Sequence, residues 1–369
     1  MSGVITAYST NLNVNDAVKD IKNQIGSLDA NLILFFASSN FDPNEISRKM
    51  KEAFVNAGVF GCSTAGELVD DKVLKNSIVA MAFNSNVIGD YKVEVSANAG
   101  DEENIARVFK SFEEYYGTPM LEMNLEEYVG IVLTDGLDAS QERLMQKIGF
   151  LTDITFIGGS AGDDLKFKTT YVYANGEAYT GATVLVLLKP AKGFDIIKTQ
   201  SFNITDQKLS VTKANAMNRE VLEFNNKPAT YAYAEVLGVP VADVEKYFMS
   251  NPVGLIIDRE PYVRSPQQII GDTMVFYCNV LEGMELSLLE STDIIKDTKN
   301  AVESKLAEVE SAVAILNFHC ILRTLELEAK NQTEEYGKIF SKVPTIGFST
   351  YGENYLGHIN QTSTMLIFK

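Results

Sequence analysis

The chain has 369 residues, with 32 Lys+Arg against 49 Asp+Glu, a formal net charge of -17 and 46% apolar residues. That acidic balance, with no basic stripe, excludes a nucleic-acid binder, because counterion release needs Lys and Arg along one face. It equally excludes docking on anionic lipid, and leaves a protein that handles a small molecule or a protein partner.

The length is that of a two-domain protein with substantial cores. Residues 1–10 carry neither a basic segment nor an apolar run, so no secretory signal is expected. The longest apolar runs, such as 32–37 and 184–188, are strand-length, which predicts no membrane insertion. Cys62, Cys278 and Cys320 lie far apart without paired spacing, which predicts reduced thiols and a cytoplasmic protein. His319 and His358 are the only histidines, too few for a His-built metal site, although one histidine can hold a haem iron.

Along the chain one pattern occurs three times. It opens on an apolar strand: 32–37, then 129–134, then 313–318. A polar turn and a helix-period segment follow. Next comes a short strand ending in a Gly/Ser turn: Gly61-Cys-Ser-Thr-Ala-Gly-Glu67, Gly158-Gly-Ser-Ala-Gly-Asp163, and Gly347-Phe-Ser-Thr-Tyr-Gly-Glu353. A further strand closes each copy, at 78–83, 183–188 and 365–368. The interval from Ala37 to Gly61 equals that from Thr134 to Gly158, 24 positions, and a longer helix over 324–340 accounts for the extra length in the third copy.

Local chemistry supports the elements in order. Asp42-Pro43 offers an N-cap with Pro at the first helical position, followed by Ile46, Met50 and Phe54 on one face. Residues 105–116 have helical period. Ser140 is placed to cap a helix over 142–150, and Asn175-Gly176 predicts a type I′ hairpin within 171–179. The interval 215–249 reads as polar and helical, broken at Pro228 and Pro240, and the domain boundary falls within 207–217. Strands follow at 254–258, 273–278 and 284–289, and Thr292 is placed to cap a helix over 293–310. The fold class expected is α/β: two domains, 1–210 and 211–369, of mixed β-sheets flanked by helices and built from repeated β-α-β units with Gly/Ser turns.

Gly61-Cys-Ser-Thr-Ala-Gly-Glu67 resembles the hallmark of the N-terminal FIST domain. The second half resembles the companion FIST C domain at Val221-Leu-Glu-Phe-Asn-Asn-Lys-Pro-Ala229, Val263-Arg264, Val280-Leu-Glu-Gly-Met-Glu-Leu286, Cys320-Ile-Leu-Arg323, Gly347 to Glu353, and Asn360-Gln-Thr362. The resemblance implies a bacterial sensory module that binds small ligands such as amino acids and reports to a signalling partner such as a histidine kinase. It also implies an alternative, a haem-bound nitric-oxide sensor.

The residues themselves nominate a site at the carboxyl ends of strands in the second half. Arg323 and Arg264, with Arg259 near them in type, offer planar forks for a carboxylate in a chain crowded with acids. Ser349, Glu353 and Asn360 offer polar contacts, with Ser63 and Glu67 as their counterparts in the first repeat, and Cys320, Phe348 and Tyr351 offer walls. Asp163 stands as the second repeat's nearest counterpart of Glu67 and Glu353. The same turns also have a purely structural reading, Gly for the backbone and Ser for a local bond. His319 or His358 would be the iron ligand of the haem alternative; otherwise no cofactor is expected. Gly158-Gly-Ser160-Ala-Gly162 matches a nucleophile elbow, but a hairpin rather than a helix follows it, so binding and not catalysis is expected.

Overall fold

The computed structural model describes residues 3–98, 100–309 and 311–369. Its contacts divide the chain into two units. The first comprises the chain through Thr199, Lys299–His358 and Ser363–Lys369; the second comprises Gln200–Thr298 and Ile359–Thr362. The architecture is α/β with mixed sheets, as the interleaved pattern predicts.

The first unit executes one motif three times. Repeat one runs β1 (Val4–Ser9), α1 (Val14–Ile25), β2 (Leu32–Ser38), α2 (Pro43–Ala53), β3 (Gly58–Thr64), a hairpin β4 (Glu67–Val69) and β5 (Lys72–Leu74), then β6 (Ile78–Phe83). Repeat two runs β7 (Ile88–Ala97), α3 (Glu102–Tyr116), β8 (Val129–Thr134), α4 (Gln141–Leu151), β9 (Phe156–Ser160), a hairpin β10 (Val172–Ala174) and β11 (Glu177–Tyr179), then β12 (Ala182–Pro190). Repeat three opens with β13 (Phe194–Gln200) and is then interrupted in sequence by the second unit.

That second unit contains β14 (Phe202–Asn215), β15 (Glu220–Phe224), β16 (Lys227–Pro228), α5 (Ala229–Leu237), β17 (Val253–Ile257), β18 (Glu260–Arg264), β19 (Pro266–Ile270), β20 (Thr273–Phe276) and β21 (Glu285–Ser291). They form one sheet, β18-β17-β21-β14-β15-β20-β19 with β16 on β15, and α5 packs Ala229, Ala232 and Tyr233 against Leu209, Phe224 and Phe276. Repeat three resumes in α6 (Ile294–Glu308), whose residues from Lys299 belong to the first unit, and continues with β22 (Ala314–Cys320), α7 (Ile321–Ala329), α8 (Thr333–Lys338), β23 (Thr345–Thr350), a hairpin β24 (Glu353–Tyr355) and β25 (His358–Ile359), then β26 (Thr362–Phe368). A boundary at 210/211 falls inside β14.

In every repeat the second strand lies parallel to the third and antiparallel to the last: β2 between β3 and β6, β8 between β9 and β12, β22 between β23 and β26. Each hairpin leaves its own repeat. β4–β5 joins β23, β24–β25 joins β9, and β10–β11 joins β3, so the exchange runs in a closed cycle through three sheets.

Alternation along the central strands explains the packing. Leu34 and Phe36, Ile131 and Leu133, and Leu316 and Phe318 meet in one core shared by all three sheets. The opposite faces take helices: Ile33 and Phe35 pack with Val18, Ile21, Ile46 and Met50, and Val132 with Ile105, Phe109, Leu144 and Ile148. Strands buried on both faces read as continuous apolar runs, which is why they stand out in the sequence.

Several local expectations hold. Asp42 accepts the Glu45 N–H at 2.8 Å with Pro43 at the first turn, and Asn175 and Gly176 both take positive φ in the β10–β11 turn. Others are corrected. Ser140 makes no capping bond, having αR backbone at the head of α4. Thr292 bonds the Asp297 carboxylate, and Asp293 accepts the Lys296 N–H instead; Glu310, the end of that expected helix, lies outside the described residues. The span 324–340 is two helices, because Asn331 turns left-handed (φ 55°) just past α7. The interval 215–249 contains β15 and β16 before α5, where strand pairing overrides a polar composition.

Candidate ligand-binding site

The three Gly/Ser turns meet one another. Gly162 N–H donates to the Ser63 carbonyl (2.9 Å), Ala65 N–H to that of Ser349 (3.3 Å), and Tyr351 N–H to that of Ser160 (3.1 Å). These are one contact made three times around a closed ring, completed by Ser349 N–H to Gly66 O and Ser160 N–H to Gly352 O. The turns therefore hold the strand exchange together. Their glycines follow from close approach: a Cβ on Gly61, Gly158 or Gly347 would lie 1.8, 1.8 or 2.2 Å from the carbonyl oxygen of Phe35, Val132 or Asn317.

Register identifies the true counterparts. Glu67 stands opposite Phe348 and Glu353 opposite Gly159, so the two carboxylates occupy the same place on exchanged hairpins. In the second repeat Val172, opposite Cys62, takes that place, not Asp163. Asp163 instead organises the longer loop there: its carboxylate accepts the N–H groups of Phe167, Lys168 and Thr169 and the Tyr351 hydroxyl, at 2.6–3.1 Å. The loop holds Leu165 and Phe167 at positive φ, with Phe167 stacked on Tyr351 at 5.2 Å. Asp163→Ala is expected to cost about 1–2 kcal/mol, since it removes four hydrogen bonds from part-buried donors; urea unfolding checks the loss, and limited proteolysis within 163–169 checks the loop.

The serines diverge. Ser63 donates to Gly162 O and accepts from Tyr171 N–H, Ser160 Oγ has no partner, and Ser349 Oγ pairs with Thr324 Oγ1 at 2.7 Å. Ser349 belongs to the most developed polar site. Along β22, Asn317 and His319 face α7 and α8 from positions that Phe35 and Ala37 hold in repeat one, and Val132 and Thr134 in repeat two. Tyr336 Oη bonds His319 Nδ1 at 2.9 Å and accepts from Asn317 Nδ2 at 3.3 Å, while Asn317 Oδ1 accepts from Ser363 Oγ at 2.7 Å. Because Tyr336 Oη already accepts from Asn317 and Nδ1 is the acceptor beside it, we assign the Tyr336 proton to Nδ1 and the His319 proton to Nε2. Nε2 is buried and has no partner.

His319 and Ser349 line a small cavity of about 10 Å³, room for about one water, together with Thr324 and Leu327 of α7, Thr333 and Tyr336 of α8, Phe348, and Glu67, Leu68 and Val73 of the exchanged hairpin. Burial holds the His319 imidazole well below its ordinary pKa, and the Arg323 charge adds to this. The unfolded chain thus binds a proton near 6.5 that the native state refuses, so stability is expected to fall as pH drops below 6.5, by about 1.4 kcal/mol per pH unit from this group. Denaturant melts of wild type and His319→Gln between pH 6.5 and 5 check this, the variant lacking that component.

The remaining nominated residues are distributed as follows. Arg323 is buried in the first turn of α7, Cys320 closes β22, and Phe348 joins the shared core. Glu353 is fully buried on β24. Arg264, on β18, and Asn360 belong to the second unit, as does Arg259 in the β17–β18 turn. Sequence reading missed Asn317, Thr324 and Tyr336. Aligning the three repeats position by position would have exposed Asn317 and His319 as polar residues at helix-facing strand positions.

Neither histidine fits haem. His319 opens on a cavity of about 10 Å³, far below the roughly 300–1,000 Å³ of ordinary ligand pockets. The His358 ring packs so closely on Gly352 that a Cβ there would meet it at 2.1 Å, and its Nδ1 contacts Asn354 Oδ1 at 3.3 Å. Ser160 ends a strand that leads to the exchanged hairpin and not into a helix, so the elbow pattern belongs to the repeated turn. Among the described residues no cluster of His, Cys, Asp or Glu is arranged to hold a metal ion, and no helix is long and apolar enough to cross a membrane.

Comparison with known proteins agrees with the FIST resemblance of the two halves. The family model described as the FIST N domain matches residues 31–227, and that described as the FIST C domain matches residues 229–355. A protein of Methanocaldococcus jannaschii, Uncharacterized protein MJ1623, is 26% identical over 322 residues, covering 81% of this chain. The chain spans 61% of that relative's length.

Proposed function

The chain belongs to the FIST family, whose domains are sensory modules of signal transduction, and from this premise we propose that it binds a small molecule, such as an amino acid or related metabolite, and reports occupancy to a protein partner. The observation that carries the reading is His319 Nε2, a buried ring nitrogen without a partner beside a small cavity at the carboxyl end of β22. Buried polar groups are normally satisfied, and an orphan polar atom at a strand's carboxyl end is where α/β proteins recognise ligands. Arg323, buried nearby in α7 and close enough to act on His319 by its charge, favours a ligand bearing a carboxylate.

A thermal-shift screen of amino acids and related metabolites tests the reading, because a ligand of the native state raises the midpoint by mass action. At least one such compound is expected to raise it, and Arg323→Ala is expected to weaken that compound by about tenfold or more; unchanged affinity in the variant would remove Arg323 from the site. The net charge of -17 fits a partner with a basic surface, so association should weaken as salt rises. Cys62, Cys278 and Cys320 are buried thiols not joined in disulfides, which accords with a cytoplasmic setting.

A further inference from the structure

We propose that the open cleft between the head of β3 and the edge strand β7 binds a small phosphorylated sugar, with the phosphate on Lys51, Tyr91 and Asn175 and a sugar hydroxyl on Asp90. The cleft lies at the amino-terminal end of β3, away from the His319 cluster, and its ligand is independent of any bound there.

The chemistry comes from counting what is already spent. The cleft holds about 430 Å³, within the roughly 300–1,000 Å³ of ligand pockets. Its charged lining is Lys51, Lys92 and Asp90, a positive balance in a chain of net charge -17. Lys92 is paired with Glu94 at 3.0 Å. Lys51 Nζ donates to the carbonyls of Val55 (3.1 Å) and Ala57 (2.7 Å) and keeps its third proton. Tyr91 Oη accepts the Gly58 N–H at 2.9 Å and keeps its own proton. Gly58 admits that ring, since a Cβ there would stand 2.5 Å from Tyr91 Cε2. Asn175 Oδ1 accepts the Val59 N–H at 3.1 Å, which orients the amide and leaves both Nδ2 protons. A lysine point charge with neutral donors beside it suits phosphate, whose oxygens each accept. Asp90 Oδ1 is taken by the Tyr91 N–H and the Tyr115 hydroxyl, at 2.8 and 2.9 Å, so Oδ2 remains for a ligand hydroxyl.

The repeats supply an internal comparison. At the head of β23, Asp70 does what Asn175 does at the head of β3. Both sit at a hairpin turn with positive φ, 48° and 49°. Asp70 N–H donates to Thr345 O (2.7 Å) and Asn175 N–H to Val59 O (2.6 Å), and each Oδ1 accepts that same residue's N–H at 3.1 Å. The fold needs only an acceptor at this position, so the amide donors of Asn175 are surplus to it. In the β23 cleft Asp70 and Asp71 put carboxylates in the lining, and Asp70 Oδ2 accepts from Thr6 Oγ1 at 2.8 Å. An anion is refused there; in the β3 cleft an amide replaces the carboxylate and admits one.

Isothermal titration of the full chain with glucose 6-phosphate, glucose and inorganic phosphate tests the site, together with the Asn175 Nδ2 resonance of wild type. Glucose 6-phosphate is expected to bind and to shift that resonance. Inorganic phosphate, without the Asp90 contact, is expected to bind about tenfold more weakly, and glucose more weakly still. Asn175→Asp keeps an acceptor for Val59, as Asp70 does for Thr345, so its urea midpoint should match wild type while its affinity for glucose 6-phosphate falls by about tenfold or more. The Nδ2 resonance is read on wild type, so it decides the matter even where the variant folds poorly. Glucose 6-phosphate that fails to bind, that leaves the Nδ2 resonance unmoved, or that binds Asn175→Asp equally well overturns the site. Glucose binding as tightly as its phosphate overturns the phosphate contact, and equal affinity for inorganic phosphate overturns the role of Asp90.

Discussion

Gly158→Ala and Gly61→Ala are each expected to destabilise the protein by at least about 4 kcal/mol, or to prevent its accumulation in folded form. The added Cβ would stand 1.8 Å from the carbonyl oxygen of Val132 or Phe35 on the parallel partner strand. The obstacle is backbone, held by the ladder that pairs β8 with β9 and β2 with β3, so no side-chain rotation relieves it. Moving the strand would also disturb the ring of turn contacts that starts two residues further on. Gly149→Ala is the control: it lies in α4 with nothing within 4 Å of the new Cβ, and should be neutral or stabilising by up to about 1 kcal/mol. Urea unfolding of the three variants separates the cases. Mild effects at Gly61 and Gly158 would show that close strand approach is not what these positions require.

The second large effect is a dependence of stability on pH, centred on Glu67. Burial raises its pKa from 4.5 to about 8, the Asp164 charge adds to the rise, and the bonds from Ser77 and Thr64 offset part of it. Between these values the native state keeps a proton that the unfolded chain has lost. Stability from this group is therefore full below pH 4.5, falls as pH rises through that window, and is lost above 8. The total is on the order of 4 kcal/mol. His319 acts in the opposite sense below 6.5, so the unopposed part of the decline in wild type lies between 6.5 and 8. Glu67→Gln removes the titration and keeps an acceptor for Ser77 N–H. The stability difference between variant and wild type is expected to move by about 4 kcal/mol in the variant's favour from pH 5 to pH 9. His319 is common to both proteins and cancels from that comparison. A difference that stays constant across the range would place the Glu67 titration at its ordinary pH.

Much of this organisation is legible in the amino-acid order. The strands 32–37, 129–134 and 313–318 are buried on both faces, so their composition alone marks them, and their spacing to the Gly/Ser turns reveals the repetition. Caps and turns with strong local chemistry, Asp42-Pro43 and Asn175-Gly176, also read directly. Elements half exposed at sheet edges, such as β1, β7 and β13, carry weaker patterns and are not read from the sequence. The polar interval before α5 conceals β15 and β16, because their pairing partners lie elsewhere in the chain.

The site divides in the same way. The turns, Ser349 and Glu67 are conspicuous as residue types, but their roles depend on which strand lies beside which. By itself the sequence determined the triplicated β-α-β units, the glycines at their turns, the mixed α/β class and the family resemblance. All of these rest on periodicity, composition and local spacing, which the chain carries in its order. Only the tertiary structure decided that the hairpins exchange cyclically, that repeat three is interrupted by a second unit, and that Glu67 of repeat one meets His319 and Ser349 of repeat three. Those facts are contacts across hundreds of residues, set by strand pairing and shared burial, and no local pattern encodes them.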